Sequence, residues 1–104
     1  GFQKKDLKEF FHLYVKTKTP SGLSPKTREL FDKMQELAKE LLTWIQTSSP
    51  KEVSARFSMP LTEMTKESEE TLMRVLHYPP LNDGEEEGAI RAAAHEDINL
   101  ITLL

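Results

Sequence analysis

The chain has no cysteine among its 104 residues. That excludes a disulfide scaffold, thiol nucleophiles and thiolate metal sites, and it removes the redox clue to compartment. Long apolar runs are missing too. None approaches the roughly 20 residues that a membrane-spanning helix needs, and the charged, amphipathic N-terminal stretch has none of the pattern of a secretory signal. Cytoplasmic is the expected compartment, and no membrane partner is expected. Charge of one sign is not in excess, with 14 basic against 17 acidic residues and a net charge of −3. Phosphate contacts need clustered Lys and Arg, so nucleic-acid binding is not expected either. What is present is ordinary for a soluble domain: 38% hydrophobic and 30% charged residues, a balance that argues against intrinsic disorder. A chain of this length can bury one modest core, but not a two-layer domain and a deep cleft together. An enzyme of this size must find the walls of its site elsewhere.

The pattern along the chain predicts helices first and strands last, an α+β class. Asp6 and Glu9 have capping-box spacing, and Leu7, Phe10, Phe11, Tyr14 and Val15 follow at i, i+3, i+4, i+7 and i+8. That predicts a helix ending near Lys16. Pro20 and Gly22 mark a turn. Ser24 as N-cap and Pro25 at the first helical position then open a long helix, about 25–46, with Leu30, Phe31, Met34, Leu37, Ala38, Leu41, Leu42 and Ile45 at helical spacing. Trp44 is expected in core or inter-helix packing. Ser49-Pro50-Lys51-Glu52 starts a short helix to Phe57, which Pro60 ends, and 61–70 reads as irregular. Residues 71–78 form a run rich in strand formers, stopped by Pro79-Pro80. A solvated loop with Glu85, Glu86 and Glu87 follows. From Ala89 the chain is apolar to Leu104, and Ile98 to Leu104 reads as a buried strand. The expected organisation is a helical region, 1–70, and a strand region, 71–104, in one structural unit.

His95-Glu96-Asp97 interrupts that last apolar stretch. Strand side chains alternate, so His95 and Asp97 point to one face with Cα atoms roughly 6.6 Å apart, and Glu96 points to the other. An imidazole and a carboxylate at that spacing can converge on one metal ion. They are two of the three ligand types of the 2-His-1-carboxylate triad that holds Fe(II). A bare His-x-Asp also occurs by chance, and Asp97 orienting His95 or capping a turn is the better account of the three residues taken alone.

The surroundings carry a resemblance. His95-Glu96-Asp97-Ile98-Asn99-Leu100-Ile101-Thr102-Leu103-Leu104 closely resembles the metal-binding strand of the isopenicillin N synthase and 2-oxoglutarate/Fe(II)-dependent dioxygenase superfamily. Leu72 to Pro80, ending His77-Tyr78-Pro79-Pro80, looks like the strand of that family that ends in a Tyr-Pro motif. The likeness is specific from about Leu72 onward. It implies that the strands open a double-stranded β-helix, or jelly roll, left incomplete by this chain. It implies His95 and Asp97 as iron ligands, and Tyr78 as a contact to the carboxylate of substrate or co-substrate. Arg91, four residues before His95, is set between binding an anionic substrate and an ordinary solvated or salt-bridged role. His77 is expected to pack opposite Tyr78, and His12 to lie on the surface of the first helix.

The family pattern also needs a second histidine well beyond the His-x-Asp pair, and 2-oxoglutarate users need an Arg-x-Ser segment further on. His12 and His77 are both upstream, so neither matches. The resemblance therefore implies an N-terminal fragment of a non-haem Fe(II) oxygenase or oxidase. The whole enzyme would act on a small molecule with O₂, and 2-oxoglutarate is the expected co-substrate. The 104 residues alone are expected to be inactive. Unpaired strand edges imply a homodimer or higher oligomer. The competing reading, from another class, is a non-catalytic interaction or metal-binding module built on the N-terminal half of that family.

Overall fold

The computed structural model describes residues 5–104. Its elements in chain order are strand β1 (Glu9–Tyr14), helix α1 (Pro25–Ser48), one-turn helices α2 (Lys51–Ser54) and α3 (Leu61–Met64), and strand β2 (Leu72–His77). The class is α+β: a long helix beside a two-stranded antiparallel sheet. Among the described residues, no helix is long and apolar enough to cross a membrane.

The first element corrects the expectation of a helix over 6–16. Residues 9–14 form a strand that pairs with β2, from Glu9 opposite His77 to Tyr14 opposite Leu72. The apolar residues do follow helical spacing, but all except Leu7 are Phe, Tyr or Val, which lose rotamer freedom in a helix and suit a pleated surface. An isolated helix of about 11 residues is marginal in water. Cross-strand pairing therefore decides the conformation. Both faces of β1 carry apolar side chains, and this produced the false helical stripe. His12 accepts a hydrogen bond at Nε2 from Arg74 Nε (2.8 Å), its direct cross-strand partner. The Phe10 ring stacks on His12 at 4.8 Å, and the Arg74 guanidinium lies over Phe10 at 5.3 Å. His77 pairs at the end of the ladder, with Nδ1 3.0 Å from Oε2 of its cross-strand partner Glu9.

Helix α1 forms as its start signals predict, and it runs two residues past the expected end. Ser24 Oγ accepts from the Lys26 N–H at 3.3 Å, and Pro25 opens the first turn. Arg28 joins this turn to the sheet: Nη1 donates to the carbonyls of Tyr14 (3.1 Å) and Val15 (3.3 Å), and Nη2 donates to that of Thr17. At the other end, Gln46 Oε1 accepts the Leu61 N–H at 2.5 Å. That bond satisfies a donor which the first turn of α3 cannot pair internally. The short helix expected over 50–57 is reduced to α2 and following turns. Pro60 opens α3 rather than ending the preceding helix, so 61–64 is helical where an irregular segment was expected.

The largest departure is at the end of the chain. Residues 89–104 form no strand, and Ile98 and Leu104 are fully exposed. A strand is stabilised by a neighbour, and β1 and β2 pair only with each other. The propensity of Ile98 to Leu104 therefore has nothing to act on. The buried apolar core among the described residues is small: Leu13, Phe31, Leu42 and Leu61. Trp44, expected in packing, is 58% exposed. The radius of gyration is 17.7 Å, against about 13 Å for a compact chain of this length, and the principal extents are 54 × 35 × 19 Å. The molecule is a thin slab.

With so small a core, Leu13→Ala should cost about 2–5 kcal/mol in urea unfolding, a large share of the total stability. The sheet should also be acid-sensitive through His12. Partial burial chiefly, and the Arg74 charge beside it, hold the imidazole below its ordinary pKa. The unfolded chain thus takes up this proton first. The stability from the neutral ring is fully present above the ordinary histidine value, near 6.5, and is lost as the pH falls through the lower folded value. Unfolding midpoints between pH 7.5 and 5, roughly the histidine range, should fall more steeply for the native chain than for His12→Gln.

Candidate functional site

The segment that carries the site residues has no regular secondary structure, and hydrogen bonds from the residues ahead of β1 hold it in place. Asp6 is the main anchor. Its Oδ1 accepts the Ala93 N–H at 3.3 Å and its Oδ2 takes the Lys8 ammonium at 2.7 Å. The adjacent Leu7 N–H donates to the Ile90 carbonyl at 2.8 Å. The Lys8 hydrogen bond, followed by the Ala93 N–H and the charges of Lys8 and His95, holds the Asp6 carboxyl below the usual carboxylate range against a desolvation cost. Asp6 is thus a fixed anion within electrostatic reach of His95. Sequence reading placed it as a helix cap and missed this role. The partners are 87 positions apart, and no local pattern signals such a contact.

His95 and Asp97 do converge. His95 Nε2 lies 3.4 Å from Asp97 Oδ1, and the two side chains are 64% and 65% exposed. The other ring nitrogen, Nδ1, is 2.9 Å from the Ala93 carbonyl. A carbonyl only accepts, so Nδ1 carries the proton of the neutral ring and Nε2 keeps its lone pair toward Asp97. Two donors that bind one ion at about 2.0–2.2 Å in neighbouring positions sit roughly 3.0–3.5 Å apart. The spacing and the donor types both fit a metal ion, and the carbonyl behind Nδ1 is the usual outer support of a ligating histidine. Among the described residues, no group of three or more His, Cys, Asp or Glu side chains gathers at one point. The pair is a two-ligand arrangement.

Tyr78 directly follows β2 and is 39% exposed. Arg91 Nη2 donates to the carbonyl of Pro79 at 3.3 Å, which brings the Arg91 side chain beside the backbone that bears Tyr78. The two residues expected at a carboxylate-binding position are therefore neighbours, and Arg91 is partly committed to the chain itself. His77, paired with Glu9, and His12, paired with Arg74, belong to the sheet.

No family model matches the chain, and no curated protein does. Among solved structures, the chain is similar to the crystal structure of a protein from Shewanella oneidensis named a "putative oxygenase". The identity is 53% and the TM-score 0.78, over 92% of this chain and 34% of that one. The present chain thus spans about a third of that protein's length. At this identity and TM-score the two chains share sequence and fold over the part they have in common.

Asp6→Ala should free the segment before His95. With the charge-assisted hydrogen bond gone, amide exchange at Ala93 should be measurably faster, with Asp6→Asn retaining part of the protection. Unchanged exchange at Ala93 would show that the clamp does not hold the segment.

Proposed function

We propose that the chain supplies two ligands, His95 and Asp97, to the iron centre of a non-haem Fe(II) oxygenase or oxidase acting on a small molecule with O₂. The observation that carries this is the 3.4 Å approach of His95 Nε2 to Asp97 Oδ1, in a chain whose solved neighbour is named as an oxygenase. The iron would supply O₂ activation when bound. The chain's own residues do the rest. The Ala93 carbonyl fixes the ring so that Nε2 is the donor, and the Asp97 carboxylate contributes the negative charge that favours a dication. Asp6 holds the segment on which both are carried. The Tyr78 hydroxyl serves the carboxylate of substrate or of the co-substrate, for which 2-oxoglutarate is the leading candidate, with Arg91 as an auxiliary cation. In this reading the third ligand is a histidine in the part of the jelly roll that corresponds to the two-thirds of the neighbour this chain does not span. The strands of that barrel would give residues 89–104 the partner they have none of here.

A metal-binding or interaction module without oxygenase activity is the second reading. It is favoured by the absence, among the described residues, of any third metal-binding side chain near the pair.

Anaerobic Fe(II) titration by calorimetry tests the ligand assignment directly. Binding to the native chain should be weak, since water fills most coordination positions. His95→Ala and Asp97→Ala should each weaken it at least tenfold, on the scale that even supporting residues reach in metal sites. His77→Ala should leave it unchanged. Equal binding by all four proteins would sink the assignment. Metal binding without any O₂ uptake by a longer chain that includes the third histidine would favour the second reading.

A further inference from the structure

The four residues from Asp6 to Glu9 reach every part of the chain that bears a proposed site residue. Asp6 Oδ1 accepts the Ala93 N–H at 3.3 Å, two residues ahead of His95. The Leu7 N–H donates to the Ile90 carbonyl at 2.8 Å, one residue ahead of Arg91. Glu9 Oε2 lies 3.0 Å from His77 Nδ1, one residue ahead of Tyr78. Lys8 binds within the stretch, with its ammonium 2.7 Å from Asp6 Oδ2. So short a stretch can fan out in this way because it turns tightly. The Lys8 N–H donates to the Asp6 carbonyl at 2.8 Å, just before β1 begins at Glu9.

These contacts are not equal. The Glu9 and His77 side chains are exposed, and water competes for that pair. Asp6 and Lys8 are largely covered. One carboxylate oxygen is held by the ammonium, and the other is thereby turned to the Ala93 amide. Ala93 is also the last point at which the segment is tied to the sheet. Among the described residues, the polar contacts beyond it are internal: His95 with Ala93 and Asp97, and Asn99 with Thr102. The direction in which His95 and Asp97 face β2 is therefore decided at Ala93.

We infer that Asp6, steadied by Lys8, is a positioning residue that sets the His95–Asp97 pair in register with Tyr78 and Arg91. One small anionic ligand can then meet both halves. Groups that act on one ligand must be held to about 0.5 Å, and side chains locked by their own hydrogen bonds do this best. The functional meaning rests on the metal and carboxylate roles given to those four residues, whereas the placement itself does not.

The lack of cysteine opens a clean test, because Glu96→Cys creates a single attachment point for a nitroxide, at an exposed position between the two donors. The label broadens amide signals that lie close to it. In the chain that is otherwise native, the Tyr78 amide should be broadened. Asp6→Ala should lose most of that broadening, Lys8→Met should lose part of it, and Asp6→Asn, which keeps an acceptor for Ala93, should recover part. Signals of α1 and of the β1–β2 ladder should stay in place in all three variants. Anaerobic Fe(II) affinity should be the same in Asp6→Ala as in the native chain, because the pair itself is built within residues 93–97. Equal broadening at Tyr78 in the native chain and Asp6→Ala would overturn the inference, as would its absence from the native chain. A fall in Fe(II) affinity with unaltered broadening would also overturn it, since Asp6 would then act on the donors and not on their placement. The nitroxide readings need no metal, so failure of the metal reading and failure of this inference are seen apart.

Discussion

The Arg28 fork holds the molecule together. One guanidinium on the first turn of α1 binds three successive-strand-end carbonyls, those of Tyr14, Val15 and Thr17, and so fixes where the sheet ends relative to the helix. Arginine suits this because its donors are held in a planar fork, and more of them stay paired per rotamer fixed than with lysine. Val15 and Thr17 lie just beyond the end of β1, and the Tyr14 carbonyl also accepts the Thr17 N–H at 3.1 Å. The Arg28 guanidinium also lies over Phe31, with Cζ 5.5 Å from the ring centroid, so one side chain serves both the polar joint and the edge of the small core.

What was legible in the sequence follows from how local each cause is. Ser24-Pro25 and the apolar repeat behind it specify α1 within a few residues, and the structure agrees. The run before Pro79 specifies β2. The N-terminal segment misled because Phe10, Phe11, Tyr14 and Val15 satisfy a helical pattern while belonging to a strand with two apolar faces. Only the partner, distant in sequence, settles the choice. Ile98 to Leu104 shows the reverse: a strand-forming composition with no partner among the described residues stays unpaired. At the site, His95 and Asp97 could be read as converging because two-residue spacing fixes their side in any extended chain. Asp6 could not be found that way, since its bond to Ala93 depends on the whole fold between them.

This division has a functional side. The His95–Asp97 pair takes its geometry from residues 93–97 alone: the Ala93 carbonyl holds the ring and Asp97 faces its other nitrogen. Its direction relative to the rest of the chain needs Asp6 and the Leu7–Ile90 bond. Local chemistry makes the donors, and tertiary contacts aim them. The large exposed apolar area of α1 and of the last residues belongs to the same account: this chain orders the pair while leaving much of its apolar surface open to others.

The pairing of β1 with β2 also sets the order in which the chain can fold. His12 and Arg74 meet across 62 positions, so the sheet can form only by closing a long loop, and none of its bonds offsets that entropy until the ends have met. Helix α1, whose backbone hydrogen bonds all close within four residues, lies wholly inside the loop. Once formed, it replaces 24 flexible residues by a rod of about 36 Å and carries Arg28 to the place where Tyr14 must arrive. The sheet is therefore the late step, and the ordering of the segment before His95, which hangs from residues just ahead of β1, comes later still.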